Sequence, residues 1–235
     1  MTYRSPMILR LAAAVAATAA LALPAAAQAA PVLNPLKSCY VSVGVDPATG
    51  DAITENIELS GSGFTPNSTV RVVVDGATVA TNVPIDAAGN LGAGTVKAPL
   101  NEKGQRPFDV TITEEANAQQ TVTAQSLVTN LTVRAKPRRA RPSRRITFSG
   151  RGFTLLERPV YAHYVRAGKL RKTVRLAAKP TGPCGTFRAK RRQFPFKPRT
   201  GRWILQVDQQ KTYASQPASA FVKLEILVRK VIRMR

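Results

Sequence analysis

The side chains best suited to chemistry in this 235-residue sequence are two cysteines, one histidine and many lysines and arginines. A thiol nucleophile at Cys184 would need a neighbouring base, and His163 is the single histidine. A structural zinc site needs four ligands, more than one histidine and two cysteines supply without a carboxylate. Acidic pairs for hydrolysis are scarce, because the second half of the chain has only Glu157, Asp208 and Glu225. We therefore predict no enzyme activity, no catalytic residue, no metal and no cofactor.

The pairing of Cys39 and Cys184 stays open at this level. Disulfides persist in oxidising compartments, and a bridge between these two cysteines would clamp the two halves of the chain together. The alternatives are two free thiols or pairing with another chain. His163 lies in an alternating run, residues 161–164, where we expect a strand side chain at a sheet surface or partly packed.

Positive charge is concentrated in the second half. Residues 30–130 carry five Lys/Arg against ten Asp/Glu, whereas residues 131–235 carry 28 against three. Such a density attracts polyanions through counterion release, without base reading. The candidate polyanion-binding residues are Arg138, Arg139, Arg141, Arg144, Arg145, Lys169, Arg171, Lys172, Arg175, Arg188, Lys190, Arg191 and Arg192.

The partner class follows from this charge. For an exported protein we expect an anionic cell-wall polymer, an acidic polysaccharide or an anionic lipid, with nucleic acid bound only non-specifically. The alternative is that the basic residues form solvated faces, partly neutralised by the acidic half of the same or another molecule. Self-association therefore remains possible.

Residues 1–29 predict export. Arg4 and Arg10 precede a small, apolar run at 11–23, and an Ala-Gln-Ala motif ends at Ala29. This arrangement is typical of a signal peptide cleaved after Ala29. The apolar run is shorter than the ~20 residues that span a bilayer, and no later stretch of the mature chain predicts a transmembrane segment. We expect a secreted, extracellular or cell-envelope-associated protein.

The segments that position the cysteines, the histidine and the basic residues have the sequence pattern of β-strands. Apolar residues recur with period two, as in Val70/Val72/Val74 and Val110/Ile112. Turn residues such as Asp75-Gly76 separate the runs. No segment of the mature chain has a convincing helical period, so the sequence predicts an all-β fold.

A nine-residue segment occurs twice. Residues 57–65, Ile-Glu-Leu-Ser-Gly-Ser-Gly-Phe-Thr, return as residues 146–154, Ile-Thr-Phe-Ser-Gly-Arg-Gly-Phe-Thr, with six identities. Two copies of one supersecondary plan explain this economically. We predict two tandem antiparallel β-sandwiches of about seven strands each.

These motifs carry a family resemblance. The segment 59–70, followed by Asp-Ala-Ala-Gly-Asn at 86–90, resembles repeats of secreted bacterial proteins with IPT/TIG-like immunoglobulin-like domains. The second copy resembles the basic repeat of secreted actinobacterial proteins through residues 182–187, 194–196 and 201–208. The resemblance covers most of the mature chain and implies an immunoglobulin-like fold. It does not specify function, because such domains serve adhesion, binding and spacing alike.

The predicted organisation is a signal peptide at 1–29, an acidic immunoglobulin-like domain at 30–133, a linker at 134–145 and a strongly basic immunoglobulin-like domain at 146–235. The linker is arginine-rich and contains two prolines. This composition favours an extended, solvated strap, part of which could serve as the first strand of the second domain.

The functional hypothesis is a secreted, envelope-associated, non-enzymatic binding or spacer module whose basic domain docks on anionic surface polymers. The first alternative is a structural protein that assembles head to tail through acidic-to-basic contacts. The second alternative is an enzyme that uses Cys184 or the acids of the first domain.

Overall fold

The computed structural model describes residues 30–217 and 219–229 of the chain. These residues form sixteen β-strands and no helix, so the prediction of an all-β fold is confirmed. The predicted signal peptide, residues 1–29, lies outside the described residues.

The N-terminal unit, strands β1–β9, consists of two sheets that face each other as in a β-sandwich. A three-stranded sheet has the order β1-β4-β7, and a six-stranded sheet has the order β3-β2-β9-β8-β5-β6. Pairing is antiparallel except between β2 and β9. Apolar side chains of both sheets meet between them, among them Leu59, Val72 and Phe108. The strands are β1 Val32–Leu33, β2 Tyr40–Val45, β3 Ala52–Thr54, β4 Asn56–Ser62, β5 Thr69–Val74, β6 Ala77–Pro84, β7 Leu91–Lys97, β8 Gln105–Glu114 and β9 Thr121–Asn130.

The C-terminal unit, strands β10–β16, has the same two-layer arrangement. A three-stranded sheet, β10-β11-β14, faces a four-stranded sheet, β13-β12-β15-β16. Phe148, Phe153 and Trp203 are buried in the core between them. The strands are β10 Thr132–Lys136, β11 Arg145–Arg151, β12 Val160–Arg166, β13 Lys169–Ala177, β14 Phe187–Arg192, β15 Gly201–Asp208 and β16 Val222–Val228.

The segment 134–145 was expected to be a solvated strap that could contribute the first strand of the second domain, and it belongs mostly to the C-terminal unit. Its first residues complete β10, which pairs along its whole length with β11. Its later residues are held by backbone hydrogen bonds, from Phe194 N to Pro142 O and from Gln193 N to Arg144 O, both at 2.9 Å. The physical reason is that Val133 packs in the core while the basic residues of β10 stay on the solvent side.

The two units are joined covalently and by packing. Cys39, just before β2, and Cys184, between β13 and β14, form a disulfide and are both buried. Val41 of β2 packs in the core of the C-terminal unit. The ammonium of Lys37 donates to Thr154 Oγ1 at 3.0 Å and also pairs with Glu55. The junction therefore contains a disulfide, an apolar contact and a polar bridge.

Gly185 is required at the turn before β14. Its φ is +57°, and a Cβ there would lie 2.0 Å from Phe153 O. We expect Gly185→Ala to lower the free energy of unfolding by about 3 kcal/mol, from the left-handed backbone and overpacking together. Chemical denaturation measures this loss.

Gly182 provides the matched control in the same turn. Its φ is +71°, but a Cβ there would have no atom within 4 Å. Gly182→Ala should therefore cost only about 1–2 kcal/mol, the backbone penalty alone. Equal losses in the two variants would show that the contact with Phe153 does not matter.

Candidate anion-binding face

The three-stranded sheet of the C-terminal unit has one apolar and one basic face. Side chains alternate along a strand, and Val133, Phe148 and Phe187 are buried in the core. The alternate positions therefore point away from the core. Their residues are Thr132, Arg134 and Lys136 of β10, Arg145, Thr147, Ser149 and Arg151 of β11, and Arg188, Lys190 and Arg192 of β14. We call these residues the basic face.

The register aligns the basic residues in rows across the sheet. Central Thr147 is flanked by Lys136 and Lys190, and central Ser149 is flanked by Arg134 and Arg188. Outside these two rows, Arg145 pairs with Arg192 and Arg151 with Thr132. Rows lie about 7 Å apart along the strands, and the flanking residues of one row lie about 10 Å apart at their Cα atoms. Small hydroxyl side chains on the central strand leave the space between the basic side chains open.

No acidic residue occurs in β10, β11 or β14. In the C-terminal unit, the single Lys/Arg–carboxylate ion pair among the described residues joins Lys179 to Glu157. The strands of the basic face therefore carry no compensating carboxylate, although Glu225 of β16 lines a neighbouring cavity of about 760 Å³ together with Arg134 and Lys136. For the other cations of the face, an external anion would supply the missing negative charge.

A cavity of about 400 Å³ lies at one end of the basic face. Its floor is formed by Ser149, Gly150 and Arg151, and its sides by polar residues of β10, β14 and the preceding turn. The side residues are Thr132, Arg134, Thr181, Thr186 and Arg188, with Phe187 beneath. Nε of Arg151 is buried and has no hydrogen-bond partner.

The thirteen predicted polyanion-binding residues do not form one surface. Four of them lie on the basic face: Arg145, Arg188, Lys190 and Arg192. Four lie in the connection between β10 and β11 and line a separate cavity of about 690 Å³ that also contains Glu225: Arg138, Arg139, Arg141 and Arg144. Four lie on β13, an edge strand of the opposite sheet: Lys169, Arg171, Lys172 and Arg175.

Arg191 points to the other side of β14 from the basic face but shares a cavity with Arg145 and Arg192. It follows Lys190 on β14 and pairs with Ile146, a core position, so it lies on the opposite side of the strand from its neighbours. Its guanidinium reaches Leu176 O at 3.5 Å and lines a cavity of about 520 Å³ with Tyr164 and Val174.

Sequence reasoning missed three of the seven cations of the basic face, Arg134, Lys136 and Arg151, and its three hydroxyl residues. Arg134 and Lys136 were assigned to the linker, although alternation with Val133 and Ala135 was visible in the sequence. Arg151 stands in the repeated motif where the first copy has Ser62. The presence of a cation where the other copy has a small residue was the sequence signal that could have identified Arg151 as a candidate.

His163 lies on the other side of the C-terminal unit, in a buried polar cluster. Its Nε2 donates to Asp208 Oδ1 at 3.1 Å and to Gln210 O at 3.0 Å, and its Nδ1 lies 2.9 Å from Thr173 Oγ1. Gln206 Nε2 donates to Asp208 and to Ala214 O. The segment after β15 thus covers His163, which has no exposed surface. The sequence expectation of a surface or partly packed histidine was wrong, because this covering segment has no strand pattern of its own.

The cluster also alters the acidity of Asp208. Burial alone raises the pKa of this carboxyl, but hydrogen bonds from His163, Gln206 and the Gln210 backbone hold it below its ordinary value. The Thr-His-Asp connectivity resembles that of a hydrolytic triad. Because the imidazole is sealed from solvent, we assign it to stabilising the covering segment.

Within residues 30–217 and 219–229, no three His, Cys, Asp or Glu side chains are grouped as a metal site. Over the same residues, no helix is long and apolar enough to cross a membrane. No protein-family model matches the chain, and no curated protein is similar to it. The functional argument therefore depends on the geometry of the basic face.

Proposed function

We propose that this chain is a secreted, cell-envelope-associated binding module whose basic C-terminal unit docks on anionic surface polymers. The observation that carries the proposal is the basic face, with cations in aligned rows and no carboxylate on its strands. Such a surface binds polyanions by releasing their counterions. Its action is non-enzymatic, and its partner is a polymer, not a small substrate.

The proposal includes two tandem immunoglobulin-like repeats. Equivalent residues of the two copies make the same turn contact: Phe64 N donates to Gly89 O, and Phe153 N donates to Gly185 O, both at 3.1 Å. In both units a Cβ on the glycine would collide with the carbonyl of the same phenylalanine. These shared contacts, together with the repeated motif, support one plan used twice.

Secretion is supported by the leader pattern and by the disulfide. Cys39 and Cys184 are bonded and buried, and structural disulfides persist mainly outside the reducing cytosol. The leader supplies the route of export.

Head-to-tail assembly is the less favoured function. A complementary acidic face would need free carboxylates, yet most acids of the N-terminal unit accept hydrogen bonds from their own unit. These are Asp46, Glu55, Asp75, Asp86, Asp109, Glu114 and Glu115. They also lie in several connections and on β8, so they offer no counterpart to the rows of the basic face.

Salt-dependent retention on immobilised anionic wall material tests the docking function. With about seven cations at the face, we expect affinity to fall about 10³-fold between 50 and 200 mM salt. Absence of binding at low salt would refute the proposal.

A charge-matched pair of variants locates the docking surface. The first variant removes four charges from the basic face by the substitutions Arg134→Gln, Lys136→Gln, Arg188→Gln and Lys190→Gln. The control variant removes four charges from β13 by the substitutions Lys169→Gln, Arg171→Gln, Lys172→Gln and Arg175→Gln. We expect the first variant to lose most of its affinity and to flatten the salt dependence by about three units of log–log slope. Equal losses in both variants would mean that net charge, not this face, governs binding.

A further inference from the structure

The cavity at the end of the basic face has the composition of an oxyanion site. Three guanidinium groups, of Arg134, Arg151 and Arg188, surround it. Hydroxyl groups of Thr132, Ser149, Thr181 and Thr186 complete the lining, and no carboxylate is present. Every charged group of the cavity is thus a cation. The hydroxyls of Thr132 and Ser149 can donate to an acceptor oxygen, whereas those of Thr181 and Thr186 donate to each other's backbone carbonyls.

Arg151 provides an independent indication of a ligand. Its Nε is buried without a hydrogen-bond partner. A buried N–H without an acceptor is destabilising, and the great majority of buried donors in folded proteins are paired. A rotation of the Arg151 side chain toward the cavity would bring this group to an acceptor oxygen of a bound anion.

The wall of the cavity is preorganised. Thr181 and Thr186 exchange backbone hydrogen bonds at 2.8 and 2.7 Å, and Thr186 Oγ1 also donates to Thr181 O at 3.0 Å. Between them, Cys184 is fixed by the disulfide to Cys39. A rigid wall lowers the entropy lost on binding.

The donor set favours a tetrahedral oxyanion over a carboxylate. Guanidinium groups bind phosphate oxygens through paired N–H donors in a planar fork. Three arginines and several hydroxyls offer more donors than the two oxygens of one carboxylate accept. A phosphodiester presents additional oxygens, and its negative charge remains at neutral pH.

The surroundings favour a polymer without nucleobases. Proteins that bind single-stranded nucleic acid stack bases on aromatic side chains, whereas the outward positions of the basic face are Lys, Arg, Ser and Thr. The row of Lys136, Thr147 and Lys190 lies about 7 Å farther along the strands. This row can contact the next charged group along the same polymer molecule.

We propose that this cavity binds a phosphodiester group of a base-free polyol phosphate polymer, an assignment that rests on the docking function proposed above. Arg151 binds one phosphate oxygen through its guanidinium, whose Nε turns toward the cavity on binding, and Arg134 and Arg188 neutralise the charge from either side. The lysine row then binds the neighbouring phosphate of the polymer.

The experiment compares three probes of similar length and charge: poly(glycerol phosphate), polyglutamate and single-stranded DNA. Affinities are measured by calorimetry with the mature chain at low salt. We expect poly(glycerol phosphate) to bind at least about tenfold more tightly than either other probe, because only it combines phosphate oxygens with a backbone that fits between the rows.

Three variants test the role of Arg151. Arg151→Lys keeps the charge but removes Nε and the fork, and Arg151→Gln removes the charge as well. Arg192→Gln is the matched control, because it removes one charge from the same face outside the cavity. We expect both Arg151 variants to lose about 10- to 100-fold in affinity for poly(glycerol phosphate). Arg151→Lys should leave polyglutamate binding unchanged, and Arg192→Gln should weaken both polymers by the same small factor. Circular dichroism confirms that each variant is folded.

The outcomes separate the two proposals. If no probe binds at low salt, the docking function and the phosphate site both fail. If poly(glycerol phosphate) and polyglutamate bind equally and Arg151→Lys changes neither, docking stands and the phosphate site is refuted. If single-stranded DNA binds as tightly as poly(glycerol phosphate), the base-free assignment is refuted.

Discussion

Replacing Cys39 and Cys184 together with serine is expected to lower the free energy of unfolding by about 4 kcal/mol. The bond closes a loop with a sequence separation of 145 residues, and the entropy that a disulfide removes from the unfolded chain grows with loop length. The loss should be visible in denaturant unfolding as a lower midpoint. The junction should also loosen, so that a single cooperative transition separates into two.

Lys37→Met is the control for the disulfide prediction. It removes the polar bridge to Thr154 and Glu55 at the same junction but leaves the bond intact. Because this ion pair is partly exposed, we expect a cost below about 1 kcal/mol. An unchanged unfolding free energy in the double serine variant would contradict the covalent role assigned to the junction.

Replacing His163 with phenylalanine is expected to destabilise the C-terminal unit by about 3 kcal/mol. An aromatic ring is kept, although a slightly larger one, but Asp208 and Thr173 lose a hydrogen-bond partner in the interior. A buried polar group that loses a hydrogen-bond partner pays its desolvation cost without compensation. Asp208 retains donors from Gln206 Nε2 and Gln210 N, both at 2.9 Å, which limits the loss.

The pH dependence gives this prediction a second readout. The pKa of Asp208 in the folded protein lies below its ordinary value, so its contribution to stability is present at neutral pH and is lost as the pH falls. Without the hydrogen bond from His163, the pKa of Asp208 in the folded protein rises. The variant therefore loses less unfolding free energy on acidification than the native protein does. The stability gap between the native protein and the variant should therefore narrow between about pH 5 and pH 3.

Thr173→Val serves as the control for His163. It removes one hydroxyl contact from the imidazole and leaves the pairing with Asp208 intact. We expect a cost of about 1 kcal/mol and an unchanged pH profile. A His163→Phe profile parallel to that of the native protein at all pH values would contradict the assigned coupling to Asp208.

The strands could be predicted because their information is local. Val70, Val72 and Val74 alternate in the sequence and are buried in the structure. By contrast, β10 was predicted only as one option for part of the linker, since Arg134 and Lys136 next to Pro137 have the composition of a solvated linker. Only pairing with β11 makes that segment a strand.

The site depends on register, which sequence clusters do not encode. Arg191 and Arg192 are neighbours in sequence, yet alternation places them on opposite sides of β14. Ser149 and Arg188 are 39 positions apart and are direct partners across two strands. The disulfide could not be decided either, because it depends on how one unit packs on the other. The burial of His163 could not be predicted for a similar reason, since the segment that covers it is irregular and its position depends on tertiary packing.

The position of Cys184 has a mechanical consequence. It lies in the turn between Thr181 and Thr186, which forms one wall of the cavity proposed to bind phosphate. A polymer held in the cavity and pulled by a growing or swelling envelope would exert tension on this turn. The bond to Cys39 passes that tension directly into the N-terminal unit beside β2, so that the short connection between β9 and β10 does not bear it alone. The N-terminal unit would then share the mechanical load on the polymer-binding C-terminal unit.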